Sequence, residues 1–175
     1  MKHVVRARIY FAAPLFNPME RAFNENLAQR LHSIAEVFLP QRDGALLTKL
    51  VADGQSLDVA RARIFTSDIR AIESCDIVVA VLDGRTIDEG VAFEVGYARA
   101  LGKVCVAYKS DDRTMLPTGD NPMIVIACQH QCSTPDGLVE TVRAVGDSIL
   151  AHHSCVTSES HEYSVGLFRS RNLLK

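Results

Sequence analysis

The stretch DIVVAVLDGRTIDEGVAFEVGYARALGKVCVAYK, residues 76–109, decides the fold. DIVVAVLD (76–83) and KVCVAYK (103–109) are short runs rich in β-forming residues. Neither alternates apolar with polar positions, which predicts strands buried on both faces, as in a parallel sheet. Between them, residues 88–101 carry helical spacing and end near Gly102, a residue type suited to closing a helix.

Working outward, the same alternation continues. VVRARIYFAA (4–13) reads as a strand, and residues 16–34 read as a helix through Phe16, Met19, Phe23, Leu27 and Leu31. AEVFLP (35–40) is a short strand stopped by Pro40. Residues 41–55 form a polar connection with room for a helical turn, and 56–75 form a helix that Ser56 is placed to cap. PMIVIACQH (122–130) is the candidate fifth strand, and 134–152 the closing helix. Residues 153–175 lack clear periodicity and form a C-terminal tail beside a single domain over 1–152. Five strands alternating with helices predict an α/β fold: a flavodoxin-like, doubly wound parallel sheet with helices on both faces. Ligands in such sheets bind beyond the carboxyl ends of the strands, near the point where strand order reverses.

Composition narrows the function classes. The chain has 175 residues, 47% of them hydrophobic, and a net charge of −2. That is one domain with a real core and no basic excess to recruit nucleic acid. No apolar run is long enough to span a membrane, and Arg6 and Arg8 break up the N-terminal apolar run, which favours a strand over a signal peptide. Five cysteines, an odd number, fit reduced thiols in a cytoplasmic protein. Cys128, His130 and Cys132 do not have zinc spacing, so no metal and no cofactor are expected.

The central helix poses a chemical problem. At about 100° per residue, Val91, Val95, Ala98, Leu101 and Gly102 share an arc of roughly 120°. Glu94 falls inside that arc. An ionised carboxylate there loses several kcal/mol of hydration unless it is paired or opens onto a polar cavity. Other polar groups map near the same sheet edge: Tyr10 late in the first strand, Asp68 on the preceding helix, and Asp88 where the GRTIDEG loop enters the helix. Each also has a structural reading. Asp88 fits a helix cap, as does a Thr86–Glu89 capping box. Asp68 fits a solvated helix face, and Tyr10 a strand aromatic with its hydroxyl at the rim. Gly90 and Gly96 fit close helix packing. No G-x-G-x-x-G, P-loop or nucleophile elbow accompanies them. Carboxylates working without a metal suit substitution at an acetal-like carbon, where one attacks and another group protonates the leaving atom.

IYFAAPLFN (9–17), TSDI (66–69), the core DGRTIDEGVAFEVGYARALGK (83–103) and DNPM (120–123) together resemble the nucleoside 2-deoxyribosyltransferase family, over roughly residues 5–130. The loops look closest to its trypanosomatid branch. The resemblance implies exchange of the base of a 2′-deoxynucleoside, with Glu94 as nucleophile and Tyr10 orienting it. It implies Asp68 as proton donor to the leaving base, and Asp88, with neighbouring Gly90, at the sugar hydroxyls. It implies Gln41 as a base contact. Asn121 and Met123 match positions contributed by a neighbouring subunit, so a homo-oligomer with shared sites is expected, with deoxynucleosides and free nucleobases as its small-molecule partners. Tyr163 and Phe168 in the tail are candidates for a similar contribution. The mechanism requires Glu94 ionised and Asp68 protonated, so their environments are expected to separate their pKa values without raising that of Glu94 far. Two other readings stand beside this one: a 2′-deoxynucleoside 5′-phosphate N-glycosidase, disfavoured by the acidic Asp88, and a noncatalytic nucleotide-binding module on the same fold.

Overall fold

The structure, a computed structural model, describes residues 5–114 and 116–169. Its five strands are β1 (Arg8–Ala12), β2 (Glu36–Phe38), β3 (Ile77–Val81), β4 (Val104–Tyr108) and β5 (His130–Cys132). All pair in parallel in the order β2-β1-β3-β4-β5, the flavodoxin-like order expected. The helices are α1 (Pro18–His32), α2 (Pro40–Asp43), α3 (Leu47–Ala52), α4 (Leu57–Ser74), α5 (Glu89–Ala100), α6 (Pro122–Ala127) and α7 (Pro135–Arg169).

The unbroken apolar run of β3 now has its explanation. Ile77, Val79 and Val81 face one core, shared with Leu27 and Leu31 of α1 and Leu138 and Val142 of α7. Val78 and Ala80 face the other, shared with Ile72 of α4 and Val91, Val95 and Ala98 of α5. Successive residues feed opposite faces and both are covered, so no position tolerates a polar group. On the second face Ala12, Ala80 and Ala107 stand side by side across three strands. A row of methyl groups lets the helices above settle close to the sheet.

Helix starts follow local chemistry. Asn17 caps α1 through its side chain, and Glu20 returns the bond to the Asn17 backbone, a full capping box with Pro18 behind the cap. Ser56 caps α4 as expected. After β3 the chain turns at Gly84, whose φ of 110° suits only glycine. Lys109, at the end of β4, is buried and donates to the carbonyls of Leu82 and Gly84, with Asp120 at 3.4 Å. Asp83 accepts from the backbone of Ser110 and Asp111. The loop leading to α5 is therefore tied to β4 from both sides.

Three expectations are corrected. Residues 122–127 are a helix, and the fifth strand is the short HQC segment after it. Asn121 accepts from the Met123 N–H with Pro122 next, so a helix start overrides the β-branched run. The 41–55 connection holds two helices, α2 and α3, in place of one turn. The closing helix does not stop at 152 but runs to Arg169. Of the apolar stripe expected over 16–34 only the later half is core: Leu27 and Leu31 are buried, while Met19 and Phe16, which precedes α1, are three-quarters exposed or more. The side chains of Cys155, Tyr163 and Phe168 lie outside those described. Cys75, Cys105, Cys128 and Cys132 are free thiols. Among the described residues no helix is long and apolar enough to cross a membrane.

Candidate active site

Strand alternation decides where Tyr10 points. It shares the α4/α5 face with Ala12 and Val78, is fully buried, and stacks on Phe38, its in-register partner on β2, with ring centroids 5.8 Å apart. With the ring fixed, its hydroxyl donates to Glu94 Oε1 at 2.5 Å. Burial first, and the Glu94 charge second, push the phenol far above its ordinary range, so Tyr10 acts as a donor and keeps its proton.

Glu94 reaches that hydroxyl because of its place on α5. Val91, Val95 and Ala98 bury the helix stripe, and Glu94 sits within it where the helix meets an open cleft. Leu101 is 42% exposed and closes the helix; it does not join the stripe. Asp88 is the cap of α5: its Oδ1 accepts from the Val91 N–H at 3.0 Å. The Thr86–Glu89 alternative is not the one used. The capping residue also lines the cleft. A side chain added at Gly90 would meet Asp88 Oδ1 at 3.0 Å, whereas one at Gly96 would meet nothing. Gly90 therefore clears space for the carboxylate, and among the described residues nothing lies within 4 Å of where a Gly96 side chain would stand.

The cleft has a volume of about 420 Å³, within the usual range for small-molecule sites. Asp68, Asp88 and Glu94 all line it, and Tyr10 braces Glu94. The walls are largely apolar: Ile64, Phe65 and Ile69 from α4, Phe93 from α5, Leu46 from the α2–α3 connection, and Phe16 at the entry to α1. Sequence reasoning did not find these walls, yet a signal existed. Asp68 lies within a stripe of Ile64, Phe65, Ile69 and Ile72 on α4, the same anomaly that singled out Glu94 on α5. A larger groove, about 940 Å³, lies on the other side of α4 and contains none of these four polar groups.

Electrostatics depart from expectation. Burial raises the Glu94 carboxyl to about 7, against the lowering effect of the Tyr10 hydrogen bond and with help from the charges of Asp68 and Asp88. Burial raises Asp68 to about 6. Glu94 was expected ionised, its pKa not raised far, beside a protonated Asp68; instead both carboxyls are raised and Glu94 lies the higher of the two, so near neutrality the proton of the pair rests mainly on Glu94. The Tyr10 donor opposes that by favouring a charged Glu94.

Gln41, Asn121 and Met123, singled out from the sequence, neither line the cleft nor bond to a group that does. Gln41 accepts from Asn24 Nδ2 at 3.1 Å and donates to the Arg21 carbonyl at 2.8 Å, linking α1 to α2. Asn121 caps α6, and Met123 beside it is 78% exposed, both on the surface of this chain. Among the described residues no cluster of three or more His, Cys, Asp or Glu side chains is placed to hold a metal.

A doubly wound sheet carrying a carboxylate-lined cleft beyond its strand ends defines the class of protein: an α/β fold with its candidate site at the reversal of strand order. The family model for nucleoside 2-deoxyribosyltransferase matches residues 9–165, and the chain belongs to that family. Family members are enzymes acting on nucleosides and nucleobases. Among solved structures, a conserved protein from Enterococcus faecalis V583 is 26% identical, with a TM-score of 0.65, over 80% of this chain and 99% of its own. A 2-deoxyribosyltransferase from Bacillus psychrosaccharolyticus is 23% identical, with a TM-score of 0.61, over 76% of this chain and 90% of its own. One from Leishmania mexicana is 24% identical, with a TM-score of 0.55, over 78% of this chain and 97% of its own. The last two likenesses establish the fold. A search of curated proteins returns no match.

Proposed function

We propose that the protein is a nucleoside 2-deoxyribosyltransferase that works by retaining double displacement through Glu94. The observation that carries this reading is the 2.5 Å hydrogen bond from the buried Tyr10 hydroxyl to Glu94, in a cleft shared with Asp68 and Asp88. In the first step the Glu94 carboxylate bonds to C1′ as the C1′–N bond to the base breaks. The bond's electron pair goes to the base nitrogen, and Asp68 supplies a proton to the base. In the second step a new base gives its proton to Asp68 and attacks C1′, releasing Glu94. Two inversions at one carbon retain configuration. Asp88, already fixed by its cap bond, holds the sugar hydroxyls with its remaining oxygen, and Gly90 leaves the sugar room.

The apolar walls favour transfer over hydrolysis, because the glycosyl ester must wait for a base without meeting water. Asn121 and Met123, exposed at the start of α6, are offered to the site of a second copy of the chain. The reading includes a homo-oligomer in the cytoplasm. A panel of acceptor bases with one deoxynucleoside donor tests it: new deoxynucleosides must form faster than free sugar.

One observation favours the hydrolase alternative. Among the described residues Arg61 is the one cation lining the cleft, and it is held only loosely by Asp58 at 3.8 Å, so it is free to meet a 5′-phosphate. Cleavage confined to deoxynucleoside monophosphates, with sugar phosphate released, would select that reading.

A further inference from the structure

The larger groove on the far side of α4 has a different chemistry from the cleft. Its floor is β1 and β2, with Arg8 and Phe38 exposed to it, and one wall is α4. Along that wall Arg63, Ser67, Arg70 and Ser74 follow one another at spacings of four, three and four residues, which puts them on one helix face. The remaining ionic groups of the groove are largely committed. Arg42 is paired with Asp43 at 2.8 Å and Arg8 with Asp76 at 3.5 Å. His32 is in contact with Arg42, and Glu36 is the one carboxylate here without an ion pair. Arg63 and Arg70, among the described residues, have neither ion pair nor hydrogen bond, and the Ser67 hydroxyl is also unbonded. In a chain of net charge −2, two free guanidiniums lining one groove mark a place for an anion.

We propose that this groove binds an oligophosphate, the chemistry shared by inorganic polyphosphate and nucleoside triphosphates. Seven residues separate the two arginines, so they stand about 10 Å apart along the helix. A chain of three phosphates spans that distance, with a guanidinium gripping each end and Ser67 facing the middle. A volume of about 940 Å³ also exceeds what one phosphate fills. The Glu36 carboxylate on the opposite side and the small number of free cations disfavour a nucleic acid strand.

Titration calorimetry of the full chain with tripolyphosphate and, separately, ATP tests this. Tripolyphosphate carries neither sugar nor base, and binding that survives R61Q is binding outside the catalytic cleft. Tripolyphosphate is expected to bind, orthophosphate at least tenfold more weakly, and R63Q/R70Q to lose about tenfold or more in affinity. ATP binding tighter than tripolyphosphate would support a nucleotide as occupant, and equal binding would support the phosphate chain alone. Base exchange without added phosphate should be unchanged in R63Q/R70Q, since neither residue lines the catalytic cleft. No tripolyphosphate binding, affinity unaffected by R63Q/R70Q, or orthophosphate binding as tightly would overturn the proposal. So would preferential capture of an acidic peptide or single-stranded DNA at these arginines.

Discussion

The Tyr10 hydroxyl and the Glu94 carboxylate, 84 residues apart in sequence, meet at 2.5 Å across the junction of β1 and α5. The phenol is immobilised by its stack on Phe38, so the bond fixes the direction in which Glu94 presents its free oxygen. Y10F keeps the ring and removes the donor. Hydrogen bonds to charged groups contribute about 1.5–3 kcal/mol, so kcat should fall roughly 10- to 100-fold. KM should change little, because the bond touches no substrate. Steady-state base exchange measures both; equal loss in kcat and KM would point to a collapsed pocket instead.

The acid pair predicts the pH profile. Glu94 at about 7 and Asp68 at about 6 together hold one proton between those values. In that window the proton rests mainly on Glu94, and the working state, with the proton on Asp68 and the charge on Glu94, is the minor arrangement of the pair. Below about pH 6 the pair gains a second proton and above about pH 7 it loses its last one, so kcat/KM should peak between them and fall on both sides. D68N should abolish the alkaline limb and slow transfer from ordinary bases by about 10²–10⁴. A donor whose leaving group needs no proton should recover most of that loss. A flat profile for the wild-type enzyme would remove the pair from the mechanism.

Holding Glu94 charged in the cleft destabilises the fold. Its folded-state pKa lies above its unfolded value, so the folded state binds the proton more tightly and stability declines as pH rises from about 4.5 to about 7. The cost is fully present above that window and absent below it. E94Q removes the charge and keeps the shape. At pH 8 it should unfold later than wild type by about 1–3 kcal/mol, and at pH 4 the two should coincide. Chemical denaturation at both pH values checks this, and a destabilised E94Q at pH 8 would contradict it.

Much of this arrangement was legible in the chain. The double-faced apolar run of β3, the α5 stripe and the Ser56 cap of α4 are local signals, each satisfied by neighbours within one or two elements. The strand order followed because two-sided burial demands helices on both faces. What was hidden depended on long-range contacts. Nothing within IVIA reveals that α6 has no buried residue and that the sheet's last pair forms at His130–Cys132, although Asn121-Pro122 was a readable helix start. Phe16 looked like core by spacing, but its neighbours turn it toward the cleft mouth. The raised Glu94 carboxyl arises first from burial by packed neighbours and only then from the charges of Asp68 and Asp88, which α5 read alone does not disclose.

The Lys109–Asp120 contact is the structural counterpart of the site. Its side chains are 6% and 12% exposed, and Lys109 also anchors the loop that carries Asp88. Removing one partner of a buried pair leaves the other charge uncompensated, at about 3–5 kcal/mol. K109M should lower Tm by roughly 6–20 °C at this chain length. K109M/D120L should recover a large part of that, because both charges are gone. Thermal unfolding of the three variants measures it; a K109M protein as stable as wild type would show the pair to be idle.

The measurement closest to the central claim is peptide mapping by mass spectrometry after acid-quenching the enzyme with a deoxynucleoside and no acceptor base. A deoxyribosyl group on the peptide containing Glu94, absent when E94Q is treated alike, is the result expected. A deoxyribosyl group on another residue, or full base exchange by E94Q, would contradict it.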